Sequence, residues 1–159
     1  MPTLPDDTFR AELAQTIADL DRWAAGIAPA AKIETAADDM SWQIVAAPIA
    51  AGTCSFELVL RHDQRFDLAL DGEAYEDRAI NNFALFLLIA EAAADGRILQ
   101  RQWLSTATGL PYKVETIVTL PDGATWRGER RLPAAQLSLE PVCEWRDRHY
   151  VRYGRPELR

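Results

Sequence analysis

Apolar residues recur at steps of three and four near the start of the chain, which predicts an amphipathic helix over about residues 8–25. Polar residues at positions 6–8 can cap this helix, and Gly26 and Pro29 end it. We therefore expect one face of the helix to be buried. The apolar stripe consists of Phe9, Leu13, Ile17, Leu20, Ala24 and Ile27.

Short strand-like segments follow, and two of them form a hairpin whose register is predictable. The segments lie at 32–36, 42–47, 54–61 and 65–70. With a loop over 62–64, Leu60 faces Phe66 and Leu58 faces Leu68, so the large apolar residues share one face. A shift of one residue would mix apolar and charged side chains on both faces. We therefore predict the unshifted register.

A second hairpin is predicted over residues 112–132. Pro121 and Asp122 suit a type I turn, and Gly123 suits the left-handed position that follows it. This loop places Val118 opposite Trp126 and gathers charged residues on the other face of the hairpin. Residues 97–104 are predicted to add a strand to the same sheet.

A long apolar run from Phe83 predicts a central helix over about residues 77–95, which ends at Gly96. Four carboxylates precede it within seven residues. We interpret them as a turn followed by a helix N-terminus, where free backbone amides stabilise acidic side chains. Their spacing differs from that of an EF-hand loop, so no metal ion is predicted. The four are Asp71, Glu73, Glu76 and Asp77.

This order of elements predicts an α+β domain over residues 1–140, with a single antiparallel sheet of about six or seven strands and two main helices packed on one face. The layout is loosely similar to that of type III secretion chaperones, which are also small and acidic and pair as dimers. The likeness is one of element order, and no motif carries it. Residues 141–159 are predicted to form a basic, aromatic C-terminal arm.

The charge of the chain is negative overall but uneven. Its 159 residues carry 17 basic and 24 acidic side chains, a net charge of −7, which disfavours a general nucleic-acid binder. Residues 127–159 alone carry 8 basic and 5 acidic side chains. The longest apolar run is too short to cross a bilayer, and the N-terminus lacks the pattern of a secretory signal. We therefore expect a cytoplasmic protein without a membrane partner.

Motifs for catalysis or cofactor binding are missing from the sequence. No glycine-rich nucleotide-binding motif occurs, and Cys54 and Cys143 lack metal-type spacing, so both are expected to be reduced and unpaired. Ser105, Asp147 and His149 have the residue types of a catalytic triad, but Ser105 lacks a nucleophile elbow. We interpret these three as surface residues. The sequence predicts no cofactor, no metal site and no catalytic residue, and an enzyme is disfavoured.

The first functional hypothesis is a non-enzymatic, chaperone-like binding or adaptor protein that acts as a homodimer. It rests on the central helix, which is apolar on all sides and so needs cover from the sheet and from a second surface. Aromatic and arginine residues of the arm add a possible contact with another protein. If the arm has no partner, we expect it to dock on the acidic body of the protein. RNA binding through the arm is the weakest of these hypotheses. The proposed contact residues are Leu85, Leu88, Trp145, Tyr150, Arg152 and Tyr153.

The alternative hypothesis is a small-ligand binder or enzyme with an anion pocket between sheet and helices. Arg97, Arg101 and Arg127 are the candidate anion-binding residues. The two hypotheses differ in whether the candidate side chains meet in one concave site. An apolar cavity with a few convergent polar groups favours a ligand site, whereas a self-complementary surface favours a dimer.

Overall fold

A computed structural model describes residues 3–132 and 143–154 of the chain. These residues form two helices and nine strands. In chain order, the elements are α1 (Asp6–Ile27), β1 (Ala31–Ala37), β2 (Ser41–Pro48), β3 (Phe56–Arg61), β4 (Arg65–Leu70), β5 (Glu73–Ala79), α2 (Ala84–Ala94), β6 (Ile98–Ser105), β7 (Pro111–Thr119), β8 (Thr125–Arg131) and β9 (Cys143–His149).

The first sheet is an antiparallel meander of β1 to β5, in which each strand pairs with the next. Alternate residues of β2, β3 and β4 are buried on one face, as the two-residue period of a strand requires. The predicted register of the first hairpin is confirmed, because Leu60 pairs with Phe66 and Leu58 pairs with Leu68. The inner face of this sheet is therefore continuous and apolar.

Helices α1 and α2 pack on this inner face. Trp23 of α1 meets Phe56 edge-on with ring centroids 5.6 Å apart, and Phe86 of α2 meets Phe66 at 4.9 Å. Leu20 of α1 is fully buried. Burying one such large apolar side chain contributes about 1.5–3 kcal/mol to stability.

The second sheet is also antiparallel and has the strand order β8-β7-β6-β9. The predicted register of the second hairpin is confirmed, because Val118 pairs with Trp126 and Thr116 pairs with Gly128. The inner face of this sheet contacts α2 and the end of the first sheet. Val118 is fully buried in the same core as the two helices. The outer face carries the charged residues of the hairpin.

The prediction of α+β architecture with antiparallel pairing is confirmed, but the prediction of a single sheet is wrong. About six or seven strands were expected in one sheet, whereas the structure has five in one and four in the other. Strands β5 and β9 were not predicted, because each is rich in charged residues and lacks a regular apolar alternation. β9 pairs with the distant β6, while β5 pairs with the neighbouring β4 and contacts the second sheet through Tyr75.

The predicted start of the central helix is also wrong. Residues 77–83 do not open the helix, which begins at Ala84, and Glu73–Ala79 forms β5 instead. Tyr75 is the physical reason, since its side chain is 2% exposed and packs edge-on against Trp126 of the second sheet. A strand places Tyr75 at that contact while it completes the hydrogen bonds of β4.

The described part of the C-terminal arm is docked on the body of the protein. Cys143–His149 forms β9 and pairs with β6 along its whole length. The chain then runs past the end of α2, where Tyr153 N donates a hydrogen bond to Ala94 O at 2.8 Å. The predicted domain boundary between residues 140 and 141, and the arm residues 155–159, lie outside the described residues.

Replacing Gly96 with alanine tests how closely the arm is docked. Gly96 has φ of 74°, and a Cβ there would lie 2.6 Å from the backbone of Val151 and Arg152. Overpacking and a disfavoured backbone conformation together predict a loss of about 2–4 kcal/mol in the free energy of unfolding. Urea unfolding measures it.

Gly26→Ala is the matched control, because a Cβ at this helical position meets no atom within 4 Å. We expect Gly26→Ala to raise the free energy of unfolding by about 0.5–1 kcal/mol. Equal effects of the two variants would contradict the docked position of Val151 and Arg152.

Candidate functional site

The acidic cluster that precedes α2 is used mainly for ion pairs with distant arginines. Asp71 forms an ion pair with Arg148 at 3.0 Å, and Glu73 accepts two hydrogen bonds from Arg130, at 2.9 and 3.0 Å. Among the described residues, no group of three or more His, Cys, Asp or Glu side chains is arranged to hold a metal ion. The interpretation of Glu76 and Asp77 as helix-capping groups is wrong, because both lie in β5, ahead of α2. Asp71, Glu73 and Asp77 instead pair with arginines, whereas Glu76 is exposed.

A buried polar network joins the two sheets. The Tyr75 hydroxyl lies 2.6 Å from Thr116 Oγ1, and Gln100 Nε2 donates to Leu70 O at 2.9 Å. The Tyr150 hydroxyl lies 2.7 Å from both Asp71 Oδ2 and Gln100 Oε1. Burial, followed by the Asp71 carboxylate, raises the pKa of Tyr150 far above its ordinary value. This phenol therefore stays neutral and serves as a structural hydrogen-bonding group.

An irregularity in β5 sorts charges between the two faces of the first sheet. The register shifts between Phe66 and Leu68, and Asp77 takes a left-handed conformation with φ of 57°. Arg61 and Arg65 each lie 2.6 Å from Asp77 Oδ1 and hold this carboxylate on the outer face. Because of the bulge, Arg78 pairs with Phe66, whereas a regular strand would place Asp77 there.

Arg78 lies at the mouth of a small cavity between the first sheet, the start of α2 and β8. We call this space the junction cavity, and its volume is about 230 Å³. Aromatic and aliphatic side chains form its floor, while one guanidinium and two amides form its polar part. Its lining consists of Phe66, Arg78, Ala79, Asn81, Asn82, Leu85, Phe86 and Trp126.

A second concave surface lies between the two helices and is called the helix groove. Its volume is about 360 Å³, and an adjoining space of about 520 Å³ extends it toward Leu4 and Ile80. Leu87 and Leu88 are half-buried in it, and Glu12 and Asp19 lie on the α1 side. The groove is lined by Glu12, Gln15, Thr16, Asp19, Phe83, Ala84, Leu87 and Leu88.

The three arginines predicted to hold an anion share the outer face of the second sheet. Arg101 forms a two-point ion pair with Asp147, at 2.7 and 3.0 Å, and Arg127 lies 3.4 Å from Glu115. Arg101 and Arg127 are two strands apart, about 10 Å. Arg97 is exposed on the same face. Two of these three charges are thus neutralised locally, and none of the three lines the junction cavity.

The predicted partner-binding leucines of α2 line two different cavities. Leu88 lines the helix groove, whereas Leu85 lines the junction cavity, and both are half-buried. The sequence run is apolar on all sides because α2 contacts the sheet and also borders two cavities.

The predicted contact residues of the arm divide into buried and exposed groups. Tyr150 and Tyr153 are each 5% exposed, and the Tyr153 hydroxyl donates to Cys54 O at 2.6 Å. These two tyrosines fix the arm to the body. Arg152 is exposed, and Trp145 is 53% exposed, so only these two present their side chains to solvent.

Trp145 belongs to an aromatic and cationic patch on the outer face of the second sheet, which we call the tryptophan face. Its ring lies 5.3 Å from that of Trp103, and the Arg101 guanidinium lies 5.2 Å from its centroid. The Lys113 amine lies 4.8 Å from the Trp103 ring. Both cations are thus already engaged in cation–π contacts with the tryptophan rings of this patch.

Apart from Leu85 and Leu88, sequence reasoning did not identify the residues that line the two cavities. Glu12 and Asp19 are seven residues apart on α1, and their helical spacing could have placed them beside the same groove. Arg78 gave no such signal, because the bulge at Asp77 alone directs it to the inner face. Asn81 and Asn82 were assigned to the predicted helix and so were not considered as cavity residues.

No protein-family model, no curated protein and no solved structure matches the chain. Within residues 3–132 and 143–154, neither helix combines the length and apolar composition needed to cross a membrane.

The charge sorting at the bulge predicts an acid-dependent difference between the wild type and Asp77→Asn. Hydrogen bonds from Arg61 and then Arg65 hold the pKa of Asp77 below its ordinary value. This carboxylate therefore stabilises the fold above the unfolded-state pKa of about 3.9, and the contribution is lost as pH falls through the lower folded-state pKa.

We expect urea unfolding at pH 6 to give a higher free energy of unfolding for the wild type than for Asp77→Asn. This difference should shrink as pH falls below about 4. Asparagine tolerates the left-handed backbone, so the variant changes mainly the charge. Glu76→Gln is the control at an exposed neighbouring carboxylate with no ion pair to a described residue. A pH-independent difference for Asp77→Asn would contradict the ion-pair assignment.

Proposed function

We propose that this protein is a non-enzymatic binding or adaptor protein whose helix groove receives a segment of a partner protein. One observation carries the proposal, namely that Leu87 and Leu88 line an open apolar cleft of about 360 Å³ beside acidic residues. Half-buried leucines in a groove are the usual anchors for an amphipathic helix of a partner.

The charge of α1 favours a basic partner. Five acidic and two basic side chains lie along this helix. Asp19 is partly neutralised by Arg22 at 3.3 Å, whereas Glu12 forms no ion pair with a described residue. An incoming helix with apolar residues on one face and Lys or Arg at its margins would match both features. The stretch from Glu12 to Asp19 spans about 10 Å, or two helical turns.

The polar groups of the interior support a binding role over a catalytic one. Tyr75, Tyr150 and Gln100 are engaged in bonds between the two sheets. The carboxylates Asp71 and Glu73 are paired with arginines. A general acid or base needs a side chain that can exchange a proton with a substrate, and these groups already hold structural partners.

Self-association is the second candidate, because a second copy could also cover Leu87 and Leu88. Two copies that met groove to groove would bring Glu12 and Asp19 near the same carboxylates of the other copy. Like charges at close range oppose this arrangement, so we rank a basic partner above the homodimer. Light scattering coupled to size-exclusion chromatography over a range of concentrations decides the oligomeric state.

A labelled peptide tests the groove directly. The probe is a helix-forming peptide of about 14 residues with leucines at positions i, i+3, i+4 and i+7 and lysines elsewhere. We expect fluorescence anisotropy to show binding that weakens at least about tenfold in Leu88→Ser and weakens less in Glu12→Gln. The leucine supplies buried apolar contact, and the carboxylate supplies an attraction screened by salt.

Leu110→Ser and Glu57→Gln are the matched controls, because both residues are exposed away from the groove. They should leave the affinity unchanged. Equal weakening by groove and control variants would show non-specific attraction to an acidic protein and would overturn the proposal.

A further inference from the structure

We infer that the junction cavity is a second binding site, which takes a small organic carboxylate with a flat apolar body. The inference does not rest on the helix groove, since Arg78 and Trp126 line the junction cavity but neither the groove nor its adjoining space. It rests on the shape of the cavity, on one cation and on the bulge that places this cation.

The cavity combines an apolar floor with a polar mouth. Phe66 and Phe86 are 5% and 1% exposed, and their rings lie 4.9 Å apart in a fixed edge-on contact. Trp126 closes one side and is itself held by Tyr75, with ring centroids 5.4 Å apart. A preformed apolar floor with few polar groups is the usual construction of a small-molecule site.

Arg78 is the charged group of this site, and its surroundings differ from those of most arginines nearby. Arg61, Arg65 and Arg130 are each bonded to a carboxylate. Arg78 forms no ion pair with a described residue, and its guanidinium lies 5.6 Å from the centroid of the Tyr75 ring. A guanidinium pairs with a carboxylate through two parallel hydrogen bonds, so Arg78 can hold the acid group of a ligand.

The bulge in β5 gives this arginine its position. In a regular continuation of the strand, Asp77 would pair with Phe66 and bring a negative charge to the cavity. The left-handed Asp77 shifts the register by one residue, so that Arg78 pairs with Phe66 instead. Bulges redirect side chains in this way and are common beside binding sites. The local fold thus exchanges an anion for a cation at the cavity mouth.

Two amides lie beside the guanidinium. Asn82 Oδ1 accepts a hydrogen bond from Ala84 N at 3.1 Å, which leaves its amide nitrogen as a donor. Asn81 also lines the cavity and is exposed. Amide donors and a single guanidinium suit one carboxylate group. A phosphate or a polyanion would call for several cations, and the described lining contains one.

The volume limits the size of the ligand. At about 230 Å³, the cavity is below the roughly 300–1,000 Å³ of pockets that bury drug-sized molecules. A single ring with one carboxylate fits such a space. The aromatic side chains Phe66, Phe86 and Trp126 favour a flat body, because aromatic rings pack well in offset or edge-on contacts.

Benzoate is the test probe, with benzamide as its uncharged analogue and inorganic phosphate as the non-apolar anion. Binding is followed by the NMR shift of the Trp126 indole N–H, assigned through Trp126→Phe. We expect benzoate to move this signal in a saturable way. Benzamide and phosphate should bind at least about tenfold more weakly, because benzamide lacks the negative charge and phosphate lacks the apolar ring.

Arg78→Gln should weaken benzoate binding at least about tenfold, and Arg78→Lys should restore part of it, because lysine keeps the charge but not the planar fork. Arg97→Gln is the matched control at an exposed arginine of the second sheet. The inference is overturned if benzoate does not shift the Trp126 signal, if benzamide binds equally well, or if Arg78→Gln binds as tightly as Arg97→Gln.

Discussion

The contact of Tyr75 with the second sheet is the interaction on which the rest of the structure depends. Its ring occupies space left by Gly128, where a Cβ would lie only 2.6 Å from two ring atoms. Its hydroxyl meets Thr116, and the neighbouring Glu73 pairs with Arg130. An aromatic ring with a satisfied hydroxyl supplies both buried area and orientation. This contact fixes β5 as a strand, and β5 in turn separates the two sheets and sets where α2 begins.

Charge sorting across β5 gives the molecule two surfaces with opposite preferences. The helix groove has an acidic margin at Glu12 and Asp19, while the junction cavity has the cation Arg78. Both border α2, yet their charged residues favour ligands of opposite charge. A protein with a net charge of −7 can therefore hold an anion locally, because a cation at the mouth of an apolar cavity acts at short range.

The C-terminal arm illustrates how one segment serves structure and surface at once. Tyr150 and Tyr153 are buried and bonded to the body, while Trp145 and Arg152 face solvent. Trp145 lies within β9, whereas Tyr150, Arg152 and Tyr153 follow this strand, so the division depends on the contacts that each side chain makes with the body. The aromatic content of the arm is thus largely explained by docking, and its exposed portion is a paired tryptophan surface with cations already engaged.

Local pattern in the sequence determined the amphipathic α1 and both hairpin registers, because each depends on side chains within a few residues and on turn chemistry. It also placed α2 approximately, through the apolar run from Phe83. Only the tertiary structure decided that Glu73–Ala79 is a strand, that the strands form two sheets, and that Arg78 faces a cavity. The physical reason is the distance along the chain between partners. The arginines that pair with Asp77 and the sheet that receives Tyr75 lie 12 to 53 residues away, and a local pattern carries no information about them.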